Sequence, residues 1–297
     1  MAVENSYTGW AAVREGKNKL VDGFPYTLKH QRSTLHLKTP VSASTTEAFT
    51  QLLSQKRQAK RVSAPLPTGE QLLFAKRQVL ETLPKKIRFA RGTRKRCGMF
   101  DWPIEELINT AEAHRRGASV PGVVGYGYTK SRFGLMDDFF IITELLQNYT
   151  DGYQWILARP EEVERVIAAA FELMYSLNSS GIYHMDLWAA NMMMCNEGVG
   201  ATYAIDLENC FAQKNEFLSE TLGFQFGFFF LREVNGFFDE ARYDAKVELA
   251  LKQYAGIDRE RFRRVYQVTK HQHVGRKERR EVFLRGVVPL ADITKMT

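Results

Sequence analysis

The apolar residues change period partway along the chain, and the change divides it in two. From Tyr26 to Pro40, and again from Arg61 to Gln78, short runs of β-forming residues broken by Pro65, Pro67 and Gly69 predict strands and a hairpin. Ile104 to Arg116 contains neither Gly nor Pro and is flanked by Pro103 and Gly117, which predicts one helix. Val120 to Tyr128 follows, and then Phe139 to Leu146, an apolar run rich in aromatic and branched residues. That run predicts a buried strand entered from a charged turn at Met136-Asp137-Asp138. The first part is therefore expected to be strands with one prominent helix.

After Pro160 the spacing becomes helical. Val163, Val166, Ile167, Ala170, Phe171, Met174 and Leu177 recur at intervals of three and four, one face of a helix from Glu161 to Ser180 that Gly181 stops. Two short apolar strands, around Met192 to Met194 and Tyr203 to Ile205, precede a helical remainder from Phe217 onward. The phenylalanine-rich run from Gly223 to Leu231 is shorter than the roughly 18 residues a membrane span needs and predicts a buried helix. The expected class is α+β, with a small β-rich N-terminal lobe over residues 1–149 and a larger helical C-terminal lobe over 150–297. The boundary falls near Asn148 to Gly152.

Composition adds limits. The 297 residues suit two ordinary domains or one two-lobed unit with its active site between the lobes, and 44% apolar with 25% charged residues is the balance of a folded globular chain. Three separated cysteines, Cys97, Cys195 and Cys210, suit a reducing compartment and make no zinc spacing. Met1 to Trp10 lacks an export pattern, so a cytoplasmic location is expected. The net charge of +7 is concentrated in two clusters, Lys76 to Arg96 and Arg259 to Arg280. Such clusters attract an anionic partner, and for the second cluster a reading as solvated helix faces stands equally beside that one.

The chemistry sits after Gly181, where His184-Met185-Asp186-Leu187-Trp188-Ala189-Ala190-Asn191 has the form H-x-D-L-x-x-x-N. In phosphoryl transfer that Asp orients the attacking hydroxyl and takes its proton, and the Asn holds a magnesium ion. The second apolar strand runs into Asp206, twenty positions after Asp186, where a second metal ligand is expected. Upstream, Leu72-Leu73-Phe74-Ala75-Lys76 is an apolar strand ending in the lysine needed for the α- and β-phosphates. Its glutamate partner is Glu106 by preference, with Glu105 and Glu112 as rivals that spacing does not separate. Between the halves, Ile142 to Leu146, with Glu144 and Leu146 foremost, would form a hinge whose backbone reads the adenine edge.

From about Arg61 to Phe230 these motifs resemble the kinase-like superfamily, and within it the lipopolysaccharide core heptose kinases. Phe74-Ala75-Lys76, Glu106 on a helix ending His114-Arg115-Arg116-Gly117, Val120-Pro121, Phe140 to Glu144, His184-x-Asp186 and Ile205-Asp206-Leu207 carry the likeness. It implies a two-lobed protein-kinase-like fold, ATP and Mg2+ as cofactors, and a heptose hydroxyl on a lipid-linked oligosaccharide at the cytoplasmic face of the inner membrane as acceptor. Two departures stand out. No G-x-G-x-x-G precedes Lys76, so Ser54-Gln55-Lys56-Arg57 would have to cover the phosphates, and Glu208 replaces the glycine of the D-F-G triplet.

The alternatives are a protein kinase, a soluble choline- or aminoglycoside-type kinase, and a non-catalytic kinase-fold binding protein. The absence of proline between Pro160 and Pro289 removes the A-P-E motif of a protein kinase. A choline-type acceptor is a cation and wants acidic surroundings, whereas the excess charge is basic. Lys76, Asp186, Asn191 and Asp206 together argue against a degenerate fold, and no nucleic-acid motif accompanies the basic runs, so no nucleic-acid partner is expected.

Overall fold

Phe139-Phe140-Ile141-Ile142 forms the middle of strand β6 (Met136–Glu144), and its alternation serves both faces of a six-stranded antiparallel sheet. Phe139 and Ile141 join one buried cluster with Phe89, Leu107 and Tyr126, while Phe140 and Ile142 join another with Leu35, Phe49 and Leu73. A strand covered on both faces has no solvent side to mark with polar residues, so it reads as an unbroken apolar run.

The computed structural model describes residues 23–54, 61–68, 72–95, 98–198 and 200–288. Residues 1–22, the expected phosphate-covering residues Gln55, Lys56 and Arg57, the Gly69 turn, Arg96 and Cys97 lie outside them. The chain divides into two compact units, Met1–Ala111 with Pro121–Gln147, and Glu112–Val120 with Asn148–Thr297.

In the first unit the sheet order is β1 (Tyr26–His30), β2 (Ser33–Leu37), β5 (Val123–Lys130), β6, β4 (Leu72–Val79), β3 (Arg61–Pro67). Among the described residues three helices accompany it where the periodicity predicts one. Helix α1 (Ala43–Ser54) buries Phe49, Leu52 and Leu53 and opens with the Thr45 amide donating to the Ser42 hydroxyl at 3.3 Å. Helix α2 (Leu83–Arg91) lies within the first basic cluster, which masks it. Its signals are Pro84 in the first turn and Gly92 just past the end, left-handed at φ 59°. Helix α3 (Trp102–Arg115) is the expected one.

The charged turn predicted at Met136-Asp137-Asp138 is instead the start of β6. Asp138 is fully buried there because Arg77 on the neighbouring strand donates to its carboxylate at 2.9 Å, a cross-strand pair that lets two charges lie within a sheet.

In the second unit, α5 (Val163–Ser179) buries the predicted stripe in the largest apolar cluster. The phenylalanine-rich run is α6 (Leu218–Leu231), buried at every position from Ser219 to Phe230. Gly223 lets α8 (Arg259–His271) pack directly on it, since a Cβ there would come within 2.6 Å of the Phe262 carbonyl oxygen. Helices α4 (Gly152–Ala158), α7 (Glu240–Ala250) and α9 (Arg276–Arg285) are the unit's other described α-helices. Among the described residues no helix is long and apolar enough to cross a membrane.

Short ladders in this unit set the loops. β8 (Tyr183–His184) pairs with β11 (Cys210–Phe211), and β9 (Met192–Cys195) pairs with β7 (Tyr149–Asp151) and β10 (Tyr203–Ala204). Residues 185–191 thus leave one ladder and enter the other, and residues 205–209 return between the same two.

Candidate active site

In the first unit, Lys76 sits in β4 opposite Ile141 and donates its ammonium to Glu106 on α3 at 2.5 Å. Both side chains are largely buried, and Glu106 is 4% exposed, so each offsets the other's desolvation. The structure also separates the rivals. Glu105 accepts the Phe100 amide at 2.6 Å, and Glu112 binds Arg115 and Arg116 at 2.6 and 2.7 Å. The Glu144 carboxylate turns back to the Gly122 amide at 3.1 Å, and Leu146 follows β6, half-buried.

In the second unit the motif loop is held by its own polar groups. Asn191 closes a 3-10 turn with its amide donating to the Trp188 carbonyl at 2.9 Å, and its side-chain nitrogen donates to the Asp186 carbonyl at 2.8 Å. With the nitrogen committed to a carbonyl, the amide oxygen of Asn191 is the end that faces elsewhere. The next segment is tied on by the Ile205 amide, which donates to the Asn191 carbonyl at 3.0 Å. Asp206 follows in the left-handed region at φ 59°, ψ 53°, a conformation Asp tolerates better than most residues. Gly152 at the start of α4 lets this turn pack closely, because a Cβ there would come within 2.8 Å of the Ala189 carbonyl oxygen.

His184 joins the two segments. It is fully buried, its Nε2 lies 3.0 Å from the Ile205 carbonyl, and its Nδ1 lies 3.2 Å from the Asp186 amide. A carbonyl only accepts and an amide N–H only donates, so the ring is neutral with its proton on Nε2. Burial lowers its pKa below 6.5, against the opposing pull of the Ile205 carbonyl and of the Asp186 and Asp206 carboxylates, with Arg279 nearby acting in the same direction as burial. A histidine whose folded pKa is depressed contributes stability that is complete above pH 6.5 and lost as pH falls below it. Urea unfolding between pH 5 and 8 is expected to show wild-type stability falling more steeply on the acid side than that of His184→Gln, by up to about 1.4 kcal/mol per pH unit. Parallel curves for the two proteins would remove His184 from this role.

Sequence reasoning missed two arginines here. Arg116 donates to the carbonyls of Gly181 at 3.0 Å and Ala212 at 2.7 Å, clamping both approaches to the β8–β11 ladder, with Glu112 holding its Nε at 2.7 Å. In the second basic cluster Arg261, Arg263, Arg264, Arg276 and Lys277 are exposed, as solvated helix faces would be, and Arg279 is an exception. Its side chain is 4% exposed, donates to the Asp186 carboxylate at 2.5 Å and to the Val274 carbonyl at 2.9 Å, and lies 4.3 Å from the Phe228 ring centre. The signal was available, since Arg279, Val282 and Phe283 occupy the i, i+3, i+4 positions of one helix face and all three are buried. On the same helix Arg276 binds Glu208, the residue in place of the D-F-G glycine, at 2.5 Å.

Among the described residues there is no group of three or more His, Cys, Asp and Glu side chains suited to a metal ion. Asn191 and Asp206 offer hard oxygen donors, the type magnesium prefers.

Residues 103–219 match the model of the lipopolysaccharide kinase (Kdo/WaaP) family, a segment that includes Glu106, Asp186, Asn191 and Asp206 but not Lys76 or Arg279. No curated protein matches the chain. Among solved structures, one described as "WaaP in complex with acyl carrier protein" is 17% identical, covering 67% of this chain and 88% of its own with a TM-score of 0.37. The resemblance read from the motifs therefore extends to the lipopolysaccharide kinase (Kdo/WaaP) family over residues 103–219, and the chain is a kinase, a phosphotransferase with an alcohol group as acceptor.

Proposed function

We propose that the chain, with a two-lobed protein-kinase-like fold, transfers the terminal phosphate of ATP to a heptose hydroxyl of the lipopolysaccharide inner core. The acceptor is lipid-linked, presented at the cytoplasmic face of the inner membrane. The observation that carries the reading is the His184 linkage, which fastens the loop bearing Asp186 to the strand end bearing Asp206 through one neutral, buried ring.

In this reading Asp186 orients the acceptor hydroxyl and takes its proton on the carboxylate oxygen that Arg279 leaves open. The hydroxyl oxygen bonds to phosphorus as the bond to the ADP oxygen breaks. Lys76, steadied by Glu106, pairs the α- and β-phosphates, and backbone groups from Glu144 to Leu146 take the adenine edge. Asn191 and Asp206 would hold Mg2+, which binds through one or two protein oxygens together with phosphate oxygens and neutralises charge there. The donor set fits, because the Asn191 side-chain nitrogen is committed to the Asp186 carbonyl and its oxygen is the end suited to a cation.

ADP production can be followed with heptose-containing core, choline-like amines and a generic protein as acceptors. Turnover is expected only with core, and Lys76→Met should lower kcat/KM for it by at least about a hundredfold, the scale of losing one charge-stabilising contact at a transferring phosphoryl group. Turnover on the protein or the amines alone would overturn the assignment.

A further inference from the structure

Arg232, at the end of α6, is a third guanidinium beside the Asp186 loop. It lies 4.4 Å from the ring centre of Trp188, two residues after Asp186, and 5.8 Å from that of Phe228. Arg279 rests on the same Phe228 ring, and both Arg232 and Arg276 are close enough to Arg279 to act on it electrostatically. Arg232 and Arg276 thus both act on Arg279, and two of the three guanidiniums have a carboxylate partner. Asp186 takes Arg279 and Glu208 takes Arg276, whereas Arg232 forms no ion pair among the described residues and its Nε is buried without a hydrogen-bond partner. Like charges brought together in partial burial are costly unless an anion joins them. A guanidinium held over an indole face is restrained by it, and a guanidinium so placed can take a carboxylate or phosphate through two parallel hydrogen bonds.

We propose that Arg232 is an oxyanion subsite for the acceptor, binding a carboxylate or phosphate group carried next to the hydroxyl that Asp186 addresses. The assignment rests on the reading of Asp186 as the acceptor's base. It would make the enzyme selective for acceptors that carry an anionic group beside that hydroxyl, and it gives Trp188 the task of orienting Arg232.

Two arms test it. In the first, inorganic phosphate is titrated calorimetrically into wild type, Arg232→Gln and Arg232→Lys, each with and without saturating Mg2+–ADP. Wild type is expected to bind phosphate about tenfold more tightly than Arg232→Gln, with the lysine variant between them and ADP making little difference. Equal affinities, or binding that ADP abolishes, would overturn the subsite, the latter because the arginine would then serve the nucleotide. In the second arm, initial rates are measured with native core and with core dephosphorylated by hydrofluoric acid. Arg232→Gln should raise KM for native core about tenfold, with a smaller change in kcat and KM for ATP unmoved. A fall in kcat alone would overturn the proposal. A wild type that turns over no core sinks the proposed function, while the phosphate titration still decides whether the subsite exists.

Discussion

Asp186→Asn is expected to lower kcat for core phosphorylation about a thousandfold, in the middle of the range for a positioned general base. Asparagine keeps the size of the side chain and one oxygen for Arg279, so the loop has every reason to keep its shape. The Asp186 amide still donates to His184 and its carbonyl still accepts from Asn191, neither of which involves the side chain. What is lost is the oxygen proposed to accept the hydroxyl's proton. Initial-rate ADP production is the measurement, with circular dichroism to establish that the variant is folded. Retention of more than a tenth of wild-type kcat would mean that Asp186 is not the base, and the chemistry would have to be sought elsewhere in the loop.

The shape of the loop was legible because its hydrogen bonds are local. His184, Asp186 and Asn191 lie within eight residues, and the hydrogen bonds that shape the turn run among them, so spacing alone carries the geometry. The α5 stripe and the β6 run were legible for the same reason, since each buries a pattern that a single element repeats. The first basic cluster hid α2 because propensity and caps, rather than an apolar face, define that helix, and its signals at Pro84 and Gly92 are two residues among many charges. The charged start of β6 was read as a turn because its neutralising partner, Arg77, is 61 residues away in sequence. Arg279 lies 93 residues from Asp186, and no local pattern connects a loop to a helix that far downstream. Partnership between distant charges is what sequence conceals, although a charged residue on the apolar face of a helix announces that a partner exists.

That concealed pair gives the second large effect, on stability. With Arg279 4% and Asp186 15% exposed, the guanidinium is the more deeply buried charge, and it cannot shed its proton to escape. Asp186→Asn therefore leaves an uncompensated buried cation, at a cost of about 3 kcal/mol, the lower end for breaking a buried pair because asparagine can still accept one hydrogen bond. Adding Arg279→Met removes the stranded charge while keeping apolar packing on Phe228, so the double variant should recover most of the lost stability although it remains inactive. Urea midpoints for wild type, both single variants and the double variant close the cycle. A double variant no more stable than Asp186→Asn would mean that water already reaches Arg279. The contact would then add little to the fold, leaving the positioning of the Asp186 carboxylate as its remaining work. Recovery in the double variant would establish that the Asp186–Arg279 pair bears on the fold, so that the residue proposed as the base also neutralises the helix that packs against its loop.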